Sequence, residues 1–208
     1  IRDVLQSRGL GDVYKRQHNI PLIMDKTAAP VICKPLEHGA AVVVHSLTKF
    51  IGGHGTVIGG ALVDGGNFDW TADPKRQPLF NEPDASYGGA KWGEVVPQLT
   101  GANVSFAVRA RVCLLRDLGA PLAPDNAWGI IQGLETAPLR MKQHCSNAQK
   151  VVDFLTKHKS VERVIYPTLH KGEIAERSKK YLKGGNGALV GIEVKGCLLY
   201  TSDAADDP

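Results

Sequence analysis

The sequence has no C-x-x-C pair: its four cysteines stand apart at positions 33, 113, 145 and 197 of 208. That spacing argues against both a disulfide framework and a zinc cluster, and it suits a reducing, cytoplasmic setting. Long apolar runs are missing too; nothing approaches the roughly 20 residues that span a bilayer. The opening stretch "IRDVLQSRGLGDVYKRQ" lacks the apolar segment of a secretory signal. There is little excess of either charge, since 25 basic and 21 acidic residues leave +4. Lysine and arginine are scattered, and with aromatics at 6% none interleave with them. Nucleic acid, membrane and metal are therefore not expected as partners, which leaves small molecules.

What is present is ordinary for a globular chain: 43% hydrophobic and 22% charged residues, enough for one large domain or one and a half. Both ends look foreign. Residues 1–17 and the tail "CLLYTSDAADDP", 197–208, read as adapter-derived sequence, because strand-like "HNIPLIMD" begins abruptly and "GALVGIEVKG" stops abruptly. Between them, "IPLIMD" and "GAAVVVHS" are continuous apolar runs, as in parallel strands covered on both faces, ending on Asp25 and Ser46. "KPLEHG" suggests a short helix closed by Gly39, and "VIGGALVD" a third strand. Residues 65–102 carry four prolines and no sustained period, and read as a long functional loop. "SFAVRARVCLLRDLG" predicts a helix ending before Gly119, and "DNAWGIIQGLE" a second, capped by Asp125. Met141, Cys145, Ala148, Val152 and Leu155 then mark one apolar face of a long helix. "VERVIYP" and "GALVGIEV" close the pattern as strands. The expected organisation is an α/β unit over 18–137 with mostly parallel strands, followed by the start of a smaller α+β unit over 138–196.

"HSLTKFIGGHGTVIGG", residues 45–60, is the stretch that could carry chemistry. A Walker loop fails, because the lysine precedes the glycines; a dinucleotide fingerprint fails, because Ile58 stands where the third glycine should be. Two readings stay open on the residues alone. Lys49 could be a solvated lysine before a glycine hairpin. It could instead be a Schiff-base lysine for pyridoxal 5'-phosphate (PLP). That chemistry needs an amine at the carboxyl edge of a sheet, with its pKa lowered by desolvation or nearby cations. It needs hydroxyls for a phosphate, which Ser46 and Thr48 would offer if the backbone stayed extended. It needs a carboxylate beside the pyridine nitrogen, and Asp25 ends the preceding strand. Glycines just beyond would let backbone pack close to the cofactor.

The stretch "MDKTAAPVICKPLEHGAAVVVHSLTKFIGGHGTVIGGALVDGG" resembles the PLP-binding core of the Cys/Met-metabolism enzymes, the cystathionine γ-synthase-like group of fold-type I transferases. The likeness runs from about residue 18 to 196, through "LLRDLGAPLAPDNAWGIIQGLETAPLRMKQH" and "NAQKVVDFLTKHKSVERVIYP". It implies a large α/β/α domain followed by the start of a smaller C-terminal one. It implies that Lys49 bears the cofactor, Ser46 and Thr48 bind its phosphate, and Asp25 pairs with the pyridinium. "GGHGT" and the following "DGGNFDW…EPDASYGG" resemble the O-acetylhomoserine sulfhydrylase branch, implying γ-replacement: O-acetylhomoserine and sulfide give homocysteine and acetate. Related implied substrates are O-succinylhomoserine, cystathionine and methionine; loss of catalysis on a retained fold is the other reading. Lys26 stands where the family commonly has asparagine, and the segment before Pro30 is one residue shorter than usual. The resemblance also implies a central fragment of a cytoplasmic homotetramer, inactive alone. The ring-stacking aromatic and the arginine for the substrate carboxylate belong to parts of the family outside these residues.

Simpler roles are expected for the remaining candidates. His45 and His54 read as satisfied structural histidines, Trp70 and Trp92 as anchors, and Tyr87 either as a residue approaching the substrate or as a packing residue. Arg140 reads as a surface ion pair, and Cys113 and Cys145 as core.

Overall fold

The computed structural model of the protein describes residues 19–196, so the ends expected to be foreign lie outside the described residues. A parallel β-pair organises the first half. β1 (Ile23–Asp25) runs beside β2 (Val42–Ser46) with Ile23 opposite Val42 and Asp25 opposite Val44. Ala40, Ala41, Val42 and Val43 are buried, as a continuous β-branched run inside a layered sheet should be. The connection holds one 3₁₀ turn, Pro35–His38, opened by Pro35 and closed by Gly39 at φ 89°, a left-handed stop that glycine adopts without strain. β3 (Gly60–Asp64) returns antiparallel on the other side of β2, with Ser46 opposite Gly60.

Residues 65–102 are not the structureless loop that their composition suggests. They fold into helix α1 (Pro78–Asn81), a 3₁₀ turn at Ala85–Tyr87 and helix α2 (Trp92–Thr100). Trp70, Phe80, Trp92 and Val96 form one buried cluster with Ala41 and Val42 of the sheet. The Trp70 ring lies 4.5 Å from Phe80 and 5.3 Å from Phe106. Such aromatic pairs add about 0.5–1.5 kcal/mol beyond their burial. Trp70 and Trp92 thus anchor the segment as expected. Tyr87 packs as well, edge-on to Trp92, with its hydroxyl 2.7 Å from Asp117. Asp84 accepts from the Ser86 amide and, at 2.9 Å, from the Trp92 indole.

Helix α3 (Ser105–Arg109) continues as a π-helical turn through Arg116. Gly119 follows at φ 69°. Helix α4 then runs unbroken from Pro124 to Leu155, where two helices were expected. Asp125 is not its cap; Ala123 holds that place, and Asp125 sits in the first turn, where its charge still favours the helix. Pro138 lies inside the helix without ending it. Burial along the helix overrides the proline: Ile130 and Gly133 lie against Gly59 and Gly52, Ala137 and Met141 are buried, and Ala148 and Val152 belong to the second unit's core. The division expected near 137 therefore falls within one helix.

β4 (Val161–Ile165) and β5 (Gly191–Val194) pair antiparallel, with helix α5 (Gly172–Tyr181) between them in the chain. Ala148, Val152, Val164 and Tyr166 make their core, and the Tyr166 hydroxyl donates to the Gly187 carbonyl at 2.7 Å. Among the described residues no helix is long and apolar enough to cross a membrane.

Candidate active site

Parallel pairing of β1 and β2 puts their carboxyl ends at one sheet edge, the edge at which open α/β sheets bind ligands. Asp25 is the last residue of β1 and Ser46 the last of β2. The pairing continues one step further, since the Lys26 amide donates to the Val44 carbonyl at 2.9 Å. Thr27 then ties the two ends together. Its amide donates to Asp25 Oδ1 at 2.8 Å, and its Oγ1 accepts from the Ser46 amide at 2.8 Å. The Thr27 hydroxyl and then its amide hold the Asp25 carboxyl below its ordinary range against the opposing effect of burial, with a lesser lowering contribution from nearby His45. Asp25 is exposed, and it is the kind of persistent anion that could face a protonated ring nitrogen.

The extended continuation expected after Ser46 does not occur. Leu47–Ile51 wind into a single π-helical turn, closed by Gly52 N–H to Leu47 O at 2.8 Å and Gly53 N–H to Lys49 O at 2.7 Å. Lys49 departs from helical geometry within it, at φ −88°, ψ −122°. Isolated π turns of this kind are frequent at functional sites. Its side chain is exposed in an open cleft of about 380 Å³ bordered by Thr48, Phe50, Gly53, Arg140 and His144. A larger hollow of about 580 Å³, near Phe154 and Lys157, lies at the far end of α4, remote from the strand ends.

The two hydroxyls differ. Thr48 Oγ1 accepts from the Gly59 amide at 3.0 Å and lies 3.4 Å from the Gly59 carbonyl, so it serves to pin the loop. Ser46 is half-buried, and its hydroxyl makes no hydrogen bond within the described residues. An amine, an uncommitted hydroxyl, a second hydroxyl and a persistent carboxylate thus gather at one edge. That donor set fits the three functional groups of PLP: its aldehyde carbon, its phosphate and its ring nitrogen.

His54 is satisfied, its Nδ1 2.7 Å from the Gly52 carbonyl. His45 is not: its Nδ1 is buried without a partner. Burial first, then Lys26, lowers the His45 pKa against the pull of Asp25, which keeps the imidazole neutral over a wider pH range. Lys26 is itself lowered, by burial and then by Lys34, with Cys33 opposing. No group of three potential metal ligands exists among the described residues. Cys113 and Cys145 are half-buried rather than core.

Gly52, Gly53 and Gly59 pack against protein, whereas at Gly55, which borders the cleft, a Cβ would meet nothing within 4 Å. A Cβ at Gly53 would overlap the Arg140 guanidinium, and one at Gly133 would overlap the Gly52 carbonyl. Among the described residues Arg140 makes no ion pair, contrary to expectation. It donates to the carbonyls of Phe50 (2.7 Å), Ile51 (2.9 Å) and Gly133 (2.7 Å), and its Nε to Thr136 Oγ1 (3.1 Å). Thr27 did not stand out in the sequence, and Arg140 did so only as a surface ion pair. The available signal was Gly129 and Gly133 four residues apart on a helix, a spacing that leaves one face open to close approach.

Residues 10–206 match the family model described as "Cys/Met metabolism PLP-dependent enzyme". The chain is 47% identical over 199 residues to an O-acetyl-L-homoserine sulfhydrylase of Leptospira meyeri, covering 93% of the chain and 44% of that protein. It is 39% identical over 194 residues to a homocysteine/cysteine synthase of Saccharomyces cerevisiae, covering 92% and 42%. Among solved structures it resembles one described as an O-acetylhomoserine (thiol)-lyase of Campylobacter jejuni, which holds N'-pyridoxyl-lysine-5'-monophosphate. That match has a TM-score of 0.77 and 38% identity over 88% of the chain and 45% of that chain. A cystathionine gamma-lyase of Lactobacillus plantarum gives a TM-score of 0.63 at 25% identity, over 89% and 39%. The chain spans less than half the length of these relatives.

Proposed function

The chain belongs to the family of Cys/Met-metabolism PLP-dependent enzymes, of fold type I, and on that premise we propose that it is the central part of an O-acetylhomoserine sulfhydrylase. The reaction is γ-replacement: sulfide displaces acetate from O-acetylhomoserine, giving homocysteine. One observation carries the assignment of residues. Asp25 ends β1, and the Lys49 turn follows β2, at the same edge of a parallel pair.

When bound, PLP supplies an electron sink for negative charge beside the substrate's amino carbon. The chain's own residues do the rest. Lys49 is the residue that holds the cofactor, and its amine moves protons at the substrate's α and β carbons as general base and acid. Asp25, kept ionised by Thr27, holds the proton on the ring nitrogen. The Ser46 hydroxyl donates to the phosphate; Thr48 supports the same place by pinning Gly59. Residues 18–137 are assigned to the cofactor-binding domain and 138–196 to the start of the C-terminal domain, with α4 crossing between them. The whole protein is assigned as a cytoplasmic homotetramer, and the 208 residues alone as inactive.

The test is a protein of the relatives' length that carries this segment. Its visible absorbance should report lysine-bound cofactor, and O-acetylhomoserine with sulfide should yield homocysteine. Faster turnover of O-succinylhomoserine, cystathionine or methionine would reassign the substrate within the family. A colourless, inactive protein would make it a retained fold without the chemistry.

A further inference from the structure

The geometry points to Arg140 as a positioning residue for Lys49, an inference that rests on the reading of Lys49 given above. The turn carrying Lys49 is short, and one of its residues is non-helical. Its own hydrogen bonds leave the Phe50 and Ile51 carbonyls pointing outward at its carboxyl end, where a helical turn has unsatisfied acceptors. The Arg140 guanidinium takes both, at 2.7 and 2.9 Å, and with the same fork takes the Gly133 carbonyl of α4 at 2.7 Å. Thr136 Oγ1, one helical turn back on α4, accepts from Nε at 3.1 Å and fixes the plane of the fork. Of four donations from one planar, charged group, two cross to the lysine turn and two anchor the group to its own 32-residue helix.

The backbone is shaped for this join. Gly53 is left-handed at φ 76°, and the guanidinium occupies the space a side chain there would need. Gly133 lets α4 approach until its Cα side meets the Gly52 carbonyl. Arg140 also borders the cleft in which Lys49 stands. Four of its five N–H donors are spent, three on backbone carbonyls and one on Thr136 Oγ1, so it acts on the turn rather than on a substrate anion. A lysine could not replace it, because a single ammonium cannot fork across three carbonyls.

The experiment compares Arg140→Ala and Arg140→Lys in a protein of the relatives' length, with Lys49→Ala alongside. Both Arg140 variants should lower kcat about 10- to 100-fold, the cost of a misplaced reacting group, with KM little changed. Both should shift the pH midpoint of the lysine-bound cofactor's visible absorbance and speed hydrogen exchange at the Gly52 and Gly53 amides. Added guanidinium ion should restore part of the Arg140→Ala activity, and ammonium should not. Unchanged kcat, absorbance midpoint and exchange would overturn the inference, even with a lowered melting temperature. If Arg140→Ala does not fold, Arg140→Lys decides on the same readouts. If Lys49→Ala keeps turnover and absorbance, the reading of Lys49 falls and this inference with it. A dead Lys49→Ala beside a normal Arg140→Ala sinks this inference alone.

Discussion

Glycines 52, 53 and 59 are crowded, whereas glycines 88, 89 and 101 are not. A Cβ at Gly52 would come within 2.8 Å of the Leu47 carbonyl, and one at Gly59 within 2.7 Å of Ile130. At Gly88, Gly89 and Gly101 a Cβ would meet nothing within 4 Å, and what requires glycine there is φ of 63°, 81° and 69°. The first stretch uses missing side chains to bring backbone against helix α4, and polar groups hold it: Thr27, Thr48 and Arg140. The second uses Gly88, Gly89 and Gly101 to turn, and aromatic rings hold it: Trp70, Phe80 and Trp92. Similar composition therefore marks two different devices. One is a polar clamp that aims a side chain; the other is a small hydrophobic core without secondary-structure period.

Lys49→Ala should produce the largest functional effect and almost no structural one. In a protein of the relatives' length, homocysteine formation and the lysine-bound visible absorbance should both disappear. Stability should move by no more than about 0.5 kcal/mol, because the side chain is exposed. Trp70→Ala should do the reverse. Emptying the centre of the aromatic cluster should cost about 3–5 kcal/mol in a denaturant melt, with cofactor absorbance kept at temperatures where the chain stays folded. Loss of absorbance without loss of stability would mean that the aromatic segment belongs to the site, and the comparison would break.

The two kinds of glycine predict different costs for the same substitution. Gly133→Ala gains helix propensity but drives a methyl into the Gly52 carbonyl, backbone that cannot swing aside, and should cost about 1–3 kcal/mol. It should also disturb the Lys49 turn. Gly88→Ala meets open space and bears only the left-handed penalty, about 1–2 kcal/mol, with the cofactor absorbance unaffected. Thermal melts read the first difference and the visible spectrum the second.

This contrast also explains what was legible in the sequence. "AAVVV", Asp25, the 3₁₀ turn at "KPLEH" and the α4 face from Met141 to Val152 could be read because each is a local pattern: a run, a strand end, a cap, a period. The edge shared by Asp25 and Lys49 followed once the two strands were taken as neighbours. Trp70 and Trp92 could be read as anchors, but not the core they form with Phe80, because positions 70, 80 and 92 obey no period and meet only in three dimensions. The unbroken α4 was hidden by Pro138, whose local cost is overridden by packing along the helix. The Arg140 clamp was hidden because its acceptors are backbone carbonyls about ninety residues away, and carbonyls carry no sequence signature. The extended path assumed from Ser46 to Thr48 failed for a related reason: the turn's shape is set by Gly52, Gly53 and their partners on α4.

The smallest effect tests the polar device at its outer end. Thr27→Val removes the hydroxyl that accepts from the Ser46 amide and that lowers the Asp25 pKa, while keeping the side chain's size and the Thr27 amide. Losing the bond to Ser46 should cost about 1 kcal/mol. The Asp25 titration midpoint, followed by carboxyl NMR, should rise toward its ordinary value. The sign follows from the direction of the shift. Because the folded-state pKa is depressed, the stabilisation it gives is present above the unfolded-state value and is lost as pH falls through the folded one. Wild type and Thr27→Val should therefore differ most above the ordinary carboxylate range, and in acid the difference should narrow to the part due to the Ser46 bond. A constant difference at all pH values would mean that Thr27 serves Ser46 alone. The site would then be clamped at its lysine end by Arg140, with only the Thr27 amide holding Asp25.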